Sequence, residues 1–186
     1  MIITNKIKTL NENQSALATF SVAFAGSLLL AFLARLSIPV PFCPVPITGQ
    51  TFGILFLGST LGSRLGMLSV FLYIMEGMIG LPVFAGGSVG FLYLLGPTGG
   101  YLIGFIPAVY LVGHLSERGF TNTLPTTLIT MIIGTTVIFI FGISWLAVTA
   151  GLGTAISIGL YPYLPGAIIK IILATIVAYS INRLNK

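Results

Sequence analysis

Apolar residues run along this chain in long blocks, separated by short stretches rich in glycine, proline or polar residues rather than interleaved with them. The blocks lie near residues 16–36, 49–64, 66–84, 97–115, 125–148 and 162–182. An apolar helix of about 20 residues crosses a hydrocarbon core about 30 Å thick. In lipid the backbone must satisfy its own hydrogen bonds, and unbroken apolar runs favour helices over the alternating pattern of a barrel. The pattern predicts an all-α integral membrane protein with six transmembrane helices. Five or seven stay open, because the second block is short and only Gly62, Arg64 and Gly66 separate it from the third. Residues 1–186 leave no stretch for a soluble domain, so a single membrane domain is expected. The first block is too long for a secretory signal, follows polar residues 11–15 and lacks a convincing cleavage site, which makes it a retained span.

Composition agrees with lipid as the solvent. Of 186 residues 56% are hydrophobic and 6% charged, where a soluble domain carries roughly 25% charged residues. The net charge of +5 does not point to nucleic acid once its distribution is considered. Lys6, Lys8, Arg64, Arg118, Arg183 and Lys186 all fall on one side of a six-span layout, whereas stretches 37–48, 85–96 and 149–161 contain no lysine or arginine. By the positive-inside rule both termini should be cytoplasmic, in a cell membrane, with the three uncharged stretches outside. A single cysteine, Cys43, excludes an internal disulfide, and one histidine, His114, near the inner end of a span, gives no metal-ligand cluster.

The outer stretches are unusual. The first holds four prolines, at 39, 41, 44 and 46, and closes with Thr48, Gln50 and Thr51. Proline fixes φ and removes a donor, so this should be an extended, stiff strap, either a plain connector or a preformed ligand wall. The second contains Gly86, Gly87, Ser88 and Tyr93, and the third Tyr161 and Tyr163. Loops so apolar should pack on the membrane-embedded body and wall off a cavity. Neither Gly96-Pro-Thr-Gly-Gly nor Gly86-Gly-Ser-Val-Gly has the context of a phosphate-binding loop, so the chain does not hydrolyse ATP by itself. Glycines 96, 100 and 104, and 58, 62 and 66, recur every four residues, a spacing that lets helices approach closely in lipid. Ser15, Thr19, Ala23, Ser27 and Ala31 make a similar ridge on the first span. That ridge serves either packing within the bundle or docking of another membrane subunit.

The chain has no aspartate, and only Glu12, Glu76 and Glu117 are acidic. Glu76 and Lys170 fall inside spans, where ionisable groups are functional candidates by default. Counted from the outer ends of their spans, Glu76 lies roughly 12 Å deep and Lys170 roughly 10 Å at 1.5 Å per residue. Matched depth predicts a pair, or two sides of one polar ligand site. Arg35, at the outer end of the first span, either snorkels to the interface or attracts an anionic ligand.

Four segments together resemble the BioY family: Pro44-Val-Pro-Ile-Thr-Gly-Gln-Thr51, Gly80-Leu-Pro-Val-Phe84, Gly96-Pro-Thr-Gly-Gly-Tyr-Leu-Ile-Gly104 and Leu164-Pro-Gly-Ala-Ile-Ile-Lys170. The resemblance covers nearly the whole chain, in order. It implies a biotin-specific substrate-binding (S) component of an energy-coupling factor (ECF) transporter, a six-helix bundle that captures biotin outside the cell. It further implies a scaffold membrane subunit and two ATPase subunits as partners, with the first-span ridge docking on the scaffold. No cofactor is expected: biotin is the transported substrate, and ATP is used only by partner subunits. In the family the last motif usually reads Pro-Gly-Asp with a lysine three residues later, and both polar residues contact biotin. Here the lysine is Lys170 and the aspartate position is Ala167, so Glu76 is the expected substitute carboxylate.

The substrate-binding set expected from residues and resemblance is therefore Lys170, Glu76, Gln50, Thr51, Gly86, Gly87, Ser88, Tyr93, Tyr101, Tyr163 and Arg35. Two other readings stay open. One is an S component for another vitamin. The other is a small intramembrane enzyme, although one His, one Cys and no Asp give a poor inventory for a nucleophile and its base.

Overall fold

The computed structural model describes residues 12–184, with side chains from residue 16 onward. Seven α-helices follow the apolar blocks: α1 (Glu12–Arg35), α2 (Gln50–Met78), α3 (Phe91–Leu95), α4 (Gly99–Glu117), α5 (Leu124–Ala150), α6 (Leu152–Gly159) and α7 (Leu164–Leu184). Two-residue strands β1 (Ser37–Ile38) and β2 (Ile47–Thr48) pair antiparallel between α1 and α2.

α2 is continuous in sequence but not in space. Gly62 has φ 82° and ψ −177°, a conformation essentially reserved for glycine. The chain reverses there. A Cβ built on Gly66 would stand 3.6 Å from Gly58 Cα, and Gln50 Nε2 lies 2.6 Å from the Tyr73 hydroxyl. In a straight helix residues 50 and 73 would be about 34 Å apart. The predicted second and third spans are thus the two limbs of one hairpin, and six helical segments traverse the bundle.

A reversal in lipid strands the backbone groups of two helix ends, and each must find a protein partner. The last residues of α4 supply them. Glu117 Oε1 accepts from the Ser63 N–H at 2.8 Å, and both carboxylate oxygens accept from the Ser63 hydroxyl. The neighbouring Ser116 hydroxyl donates to the Ser59 carbonyl at 2.8 Å, closing the end of the first limb. A carboxylate on a helix N-terminus also complements the helix dipole.

The two limbs of α2 and all of α4 form the centre of the bundle. Ile54, Leu57, Val70, Tyr73, Ala108 and Val109 are buried there. α1 covers one side with Ala23, Ser27, Leu30 and Ala34, all fully buried, and turns Leu17, Phe20, Phe24, Leu28 and Phe32 outward. The small-residue ridge is therefore partly used in packing: Ala23 and Ser27 face the bundle, Thr19 and Ala31 are half-buried, and the Ser15 side chain lies outside the described residues. α5 closes the other side, and Gly100 lets it approach so closely that an added Cβ would lie 2.2 Å from Trp145 Cβ. Along α5 the hydroxyls of Thr127, Thr130 and Thr135 bond to carbonyls one turn earlier and so remain satisfied away from water.

Three expectations for the loops need correction. The proline stretch contains no helix, but it doubles back as a hairpin instead of crossing as one strap: Ser37 pairs with Thr48, Ile38 with Ile47, and Cys43 N–H bonds the Val40 carbonyl at the turn. The second stretch contains a 3-10 turn, Ala85–Gly87, and the short α3. The third contains α6, which the glycines at 151, 153 and 159 hid from a reading by composition.

Candidate functional site

The three uncharged stretches meet at one end of the bundle, tied down by side chains that satisfy their carbonyls. The Tyr163 hydroxyl donates to Val45 O, Tyr101 to Gly159 O at 2.7 Å, Trp145 Nε1 to Gly96 O at 3.0 Å, and Arg35 Nη2 to Pro82 O at 2.7 Å. Buried loop backbone needs such partners. Beneath the loops lies a cavity enclosing about 640 Å³ not occupied by protein atoms, part of it open to the surroundings.

Its wall is assembled from loops and helices together, without α1 or α6. Val45, Pro46, Ile47 and Thr48 come from the proline hairpin, and Gln50 and Thr51 from the first turn of α2. Ala85, Tyr93 and Thr98 come from the second stretch; Tyr101, Leu102 and Phe105 come from α4. Thr135, Ile138 and Phe139 come from α5, and Tyr163, Ala167 and Lys170 from the start of α7 and the turn before it. The lining is mostly aromatic and aliphatic with a few polar groups, the usual make-up of a small-molecule site.

Lys170 brings the only cationic side chain of the lining. Among the described residues its ammonium has no hydrogen-bond or ion-pair partner. Lys170 is half-buried on that wall, so an acceptor entering the cavity would meet an ammonium that no described protein group neutralises. Ala167, one helical turn earlier, lies on the same wall.

An aromatic column backs the second side. The Tyr73 and Phe84 rings meet edge-on at 5.7 Å, and Phe84 stacks on Tyr93 at 5.1 Å with 16° between planes. Tyr93 faces the cavity, and burial pushes its hydroxyl above the ordinary tyrosine range, so it stays a neutral donor.

Of the residues expected in the site, Lys170, Gln50, Thr51, Tyr93, Tyr101 and Tyr163 are brought together on the lining. The others are not. Glu76 faces another way: its Oε1 accepts from Ser27 Oγ of α1 at 2.7 Å, so it neither pairs with Lys170 nor reaches the cavity. Arg35 clamps Pro82 and lies against Gly87, holding the second stretch to α1. Gly86, Gly87 and Ser88 are not on the lining, which takes only their neighbour Ala85 from that turn. Thr98, Phe105, Thr135, Ile138 and Phe139 were not expected, because within an apolar span nothing in sequence separates a lining position from a packed one.

Residues 7–186 match the profile of the BioY family. The chain belongs to the BioY family. Its curated relatives include the biotin transporter BioY of Rhizobium etli, 35% identical over 167 residues that cover 86% of this chain and 89% of that protein. A probable biotin transporter BioY of Pyrococcus horikoshii is 39% identical over 156 residues, covering 82% of this chain and 92% of that protein. The fold matches the crystal structure of the S-component for biotin from an ECF-type ABC transporter. The TM-score is 0.80 at 29% identity, over 94% of this chain and 95% of the other. This BioY-family chain is therefore a multi-pass membrane protein built as an S component, and its cavity lies at the end where the three uncharged stretches converge.

Proposed function

We propose that this protein binds biotin at the loop-covered end of the bundle and carries it across the cell membrane as the S component of an ECF-type transporter. The observation that carries the reading is a mostly apolar cavity with a single ammonium, Lys170, lacking any protein partner among the described residues, in a BioY-family chain. Biotin offers an apolar bicyclic ring for the aromatic walls, and its ureido oxygen and carboxylate are both acceptors for an ammonium. Gln50, Thr51, Thr98 and Tyr93 supply the remaining polar contacts.

With no phosphate-binding motif of its own, the chain relies on partners for ATP: a scaffold membrane subunit and two ATPase subunits. Of the ridge on α1, the half-buried edge with Thr19 and Ala31 is the proposed docking side, whereas Ala23 and Ser27 are buried against the bundle and take no part. Both termini are proposed to be cytoplasmic and the cavity to open outward, in line with the lysine- and arginine-free stretches around it.

Isothermal titration of the purified chain with biotin, followed by competition with riboflavin, thiamin and other vitamins, tests the reading. Biotin is expected to bind alone among them. Preference for another vitamin would retain the S-component architecture and overturn the substrate.

A further inference from the structure

Gln50 is the one carboxamide on the cavity wall, and its orientation is fixed from behind. Its backbone N–H donates to Thr48 Oγ1 at 3.3 Å, and the Thr48 hydroxyl donates to Gln50 Oε1 at 2.9 Å. At the other end Gln50 Nε2 donates to the Tyr73 hydroxyl at 2.6 Å, and that hydroxyl donates to the Val83 carbonyl at 3.1 Å. A carbonyl only accepts, so the Tyr73 proton is committed to Val83, and the Tyr73 oxygen can only receive an N–H. The amide nitrogen must therefore face Tyr73 and the oxygen must face Thr48. A carboxamide has two N–H donors and two acceptor lone pairs. One of each is engaged, leaving an adjacent donor and acceptor for whatever fills the cavity.

Tyr73 is not on the lining. It is fully buried, and the Phe84 ring fixes it edge-on. We infer that Tyr73 is a positioning residue: its hydroxyl locks the Gln50 carboxamide in one polarity, so that the cavity reads a ligand edge carrying C=O beside N–H. A cyclic urea has that edge. The inference rests on the biotin reading and assigns the ureido group to the Gln50 side of the cavity.

A double-mutant cycle on the full chain tests it, with biotin dissociation constants measured for wild type, Tyr73→Phe, Gln50→Ala and the double variant. Tyr73→Phe keeps the ring and removes the lock, and is expected to weaken biotin about three- to tenfold, the range for one net hydrogen bond. In the Gln50→Ala background the same substitution is expected to change affinity by less than about twofold, because there is no carboxamide left to orient. A loss that persists undiminished in that background, or wild-type affinity for Tyr73→Phe, overturns the positioning role. Should Tyr73→Phe fail to fold, Tyr73→Met, which also lacks the hydroxyl, takes its place in the cycle, and its effect should likewise vanish with Gln50→Ala. Additive effects there overturn the role equally. Absence of biotin binding by the wild-type chain would bring down the functional reading and this role with it, whereas tight binding with additive effects removes the role alone.

Discussion

Two ionisable side chains sit within the helices of this protein, and they meet different surroundings. Lys170 lines the cavity without a protein partner among the described residues, whereas Glu76 is engaged by Ser27 in the seam between α1 and α2. A charge-assisted hydrogen bond contributes about 1.5–3 kcal/mol, so Lys170→Ala should weaken biotin binding at least about tenfold, as read by titration calorimetry. Wild-type affinity in that variant would remove Lys170 from the site. Glu76→Gln should leave biotin affinity within about twofold, because the side chain neither lines the cavity nor touches a residue that does so through its carboxylate. Residue counting along a helix does not say which way a side chain faces, and the count that placed Glu76 ran from Phe84 although its helix ends at Met78. The spans of this chain are apolar on all sides, so periodicity does not say which face turns inward. The side that Glu76 faces was hidden for that reason, and so was the place of Phe105 and Thr135 on the cavity wall.

At the scale of elements, block lengths and punctuation were legible. Most observed helices begin and end close to the predicted spans, although the second limb of α2 stops at Met78, short of the expected end at 84, and the break at Gly62 lies where three spaced polar or glycine positions marked it. What sequence does not display is the partner that makes the break tolerable, since Ser116 and Glu117 are more than fifty residues away. Gly62→Ala forces a side chain into a glycine-only conformation, with its Cβ 2.5 Å from Glu117 Oε1. It should lower stability by about 1–3 kcal/mol, seen as a lower melting temperature in detergent. Glu117→Ala strands the Ser63 donors and should destabilise by about 1–3 kcal/mol in the same measurement. The proline hairpin offers a second element-scale test. Cys43 is the only cysteine of the chain and is half-buried in that hairpin. A membrane-impermeant maleimide should label it in intact cells, and biotin should slow the reaction. Labelling only after permeabilisation would invert the proposed orientation.

For the whole molecule, the described spans carry few charged side chains: Glu76 and Lys170 are engaged or cavity-facing, and the outward face of α1 is aliphatic and aromatic. Such a body can change its tilt in the bilayer without exposing many ions to hydrocarbon, each of which would cost several kcal/mol. Inward delivery by rotation of the entire protein is consistent with that surface. Cross-links holding the helices upright through a complete transport cycle, with biotin still accumulating, would exclude it. The cavity itself was legible in outline, as uncharged loops over a submerged lysine, because those are chemical identities. Its walls were not, because they depend on how the helices rotate against one another.

The hairpin in α2 has one more implication. Gln50, at the mouth of the cavity wall, and Gly62, at the far turn, are separated by a helical rise of only about 18 Å. The hydrocarbon slab is about 30 Å thick. In the proposed orientation, with Gly62 at the inner face of that slab, a vitamin resting against Gln50 would already lie more than a third of the way through, and roughly the height of a single short limb would remain to be travelled.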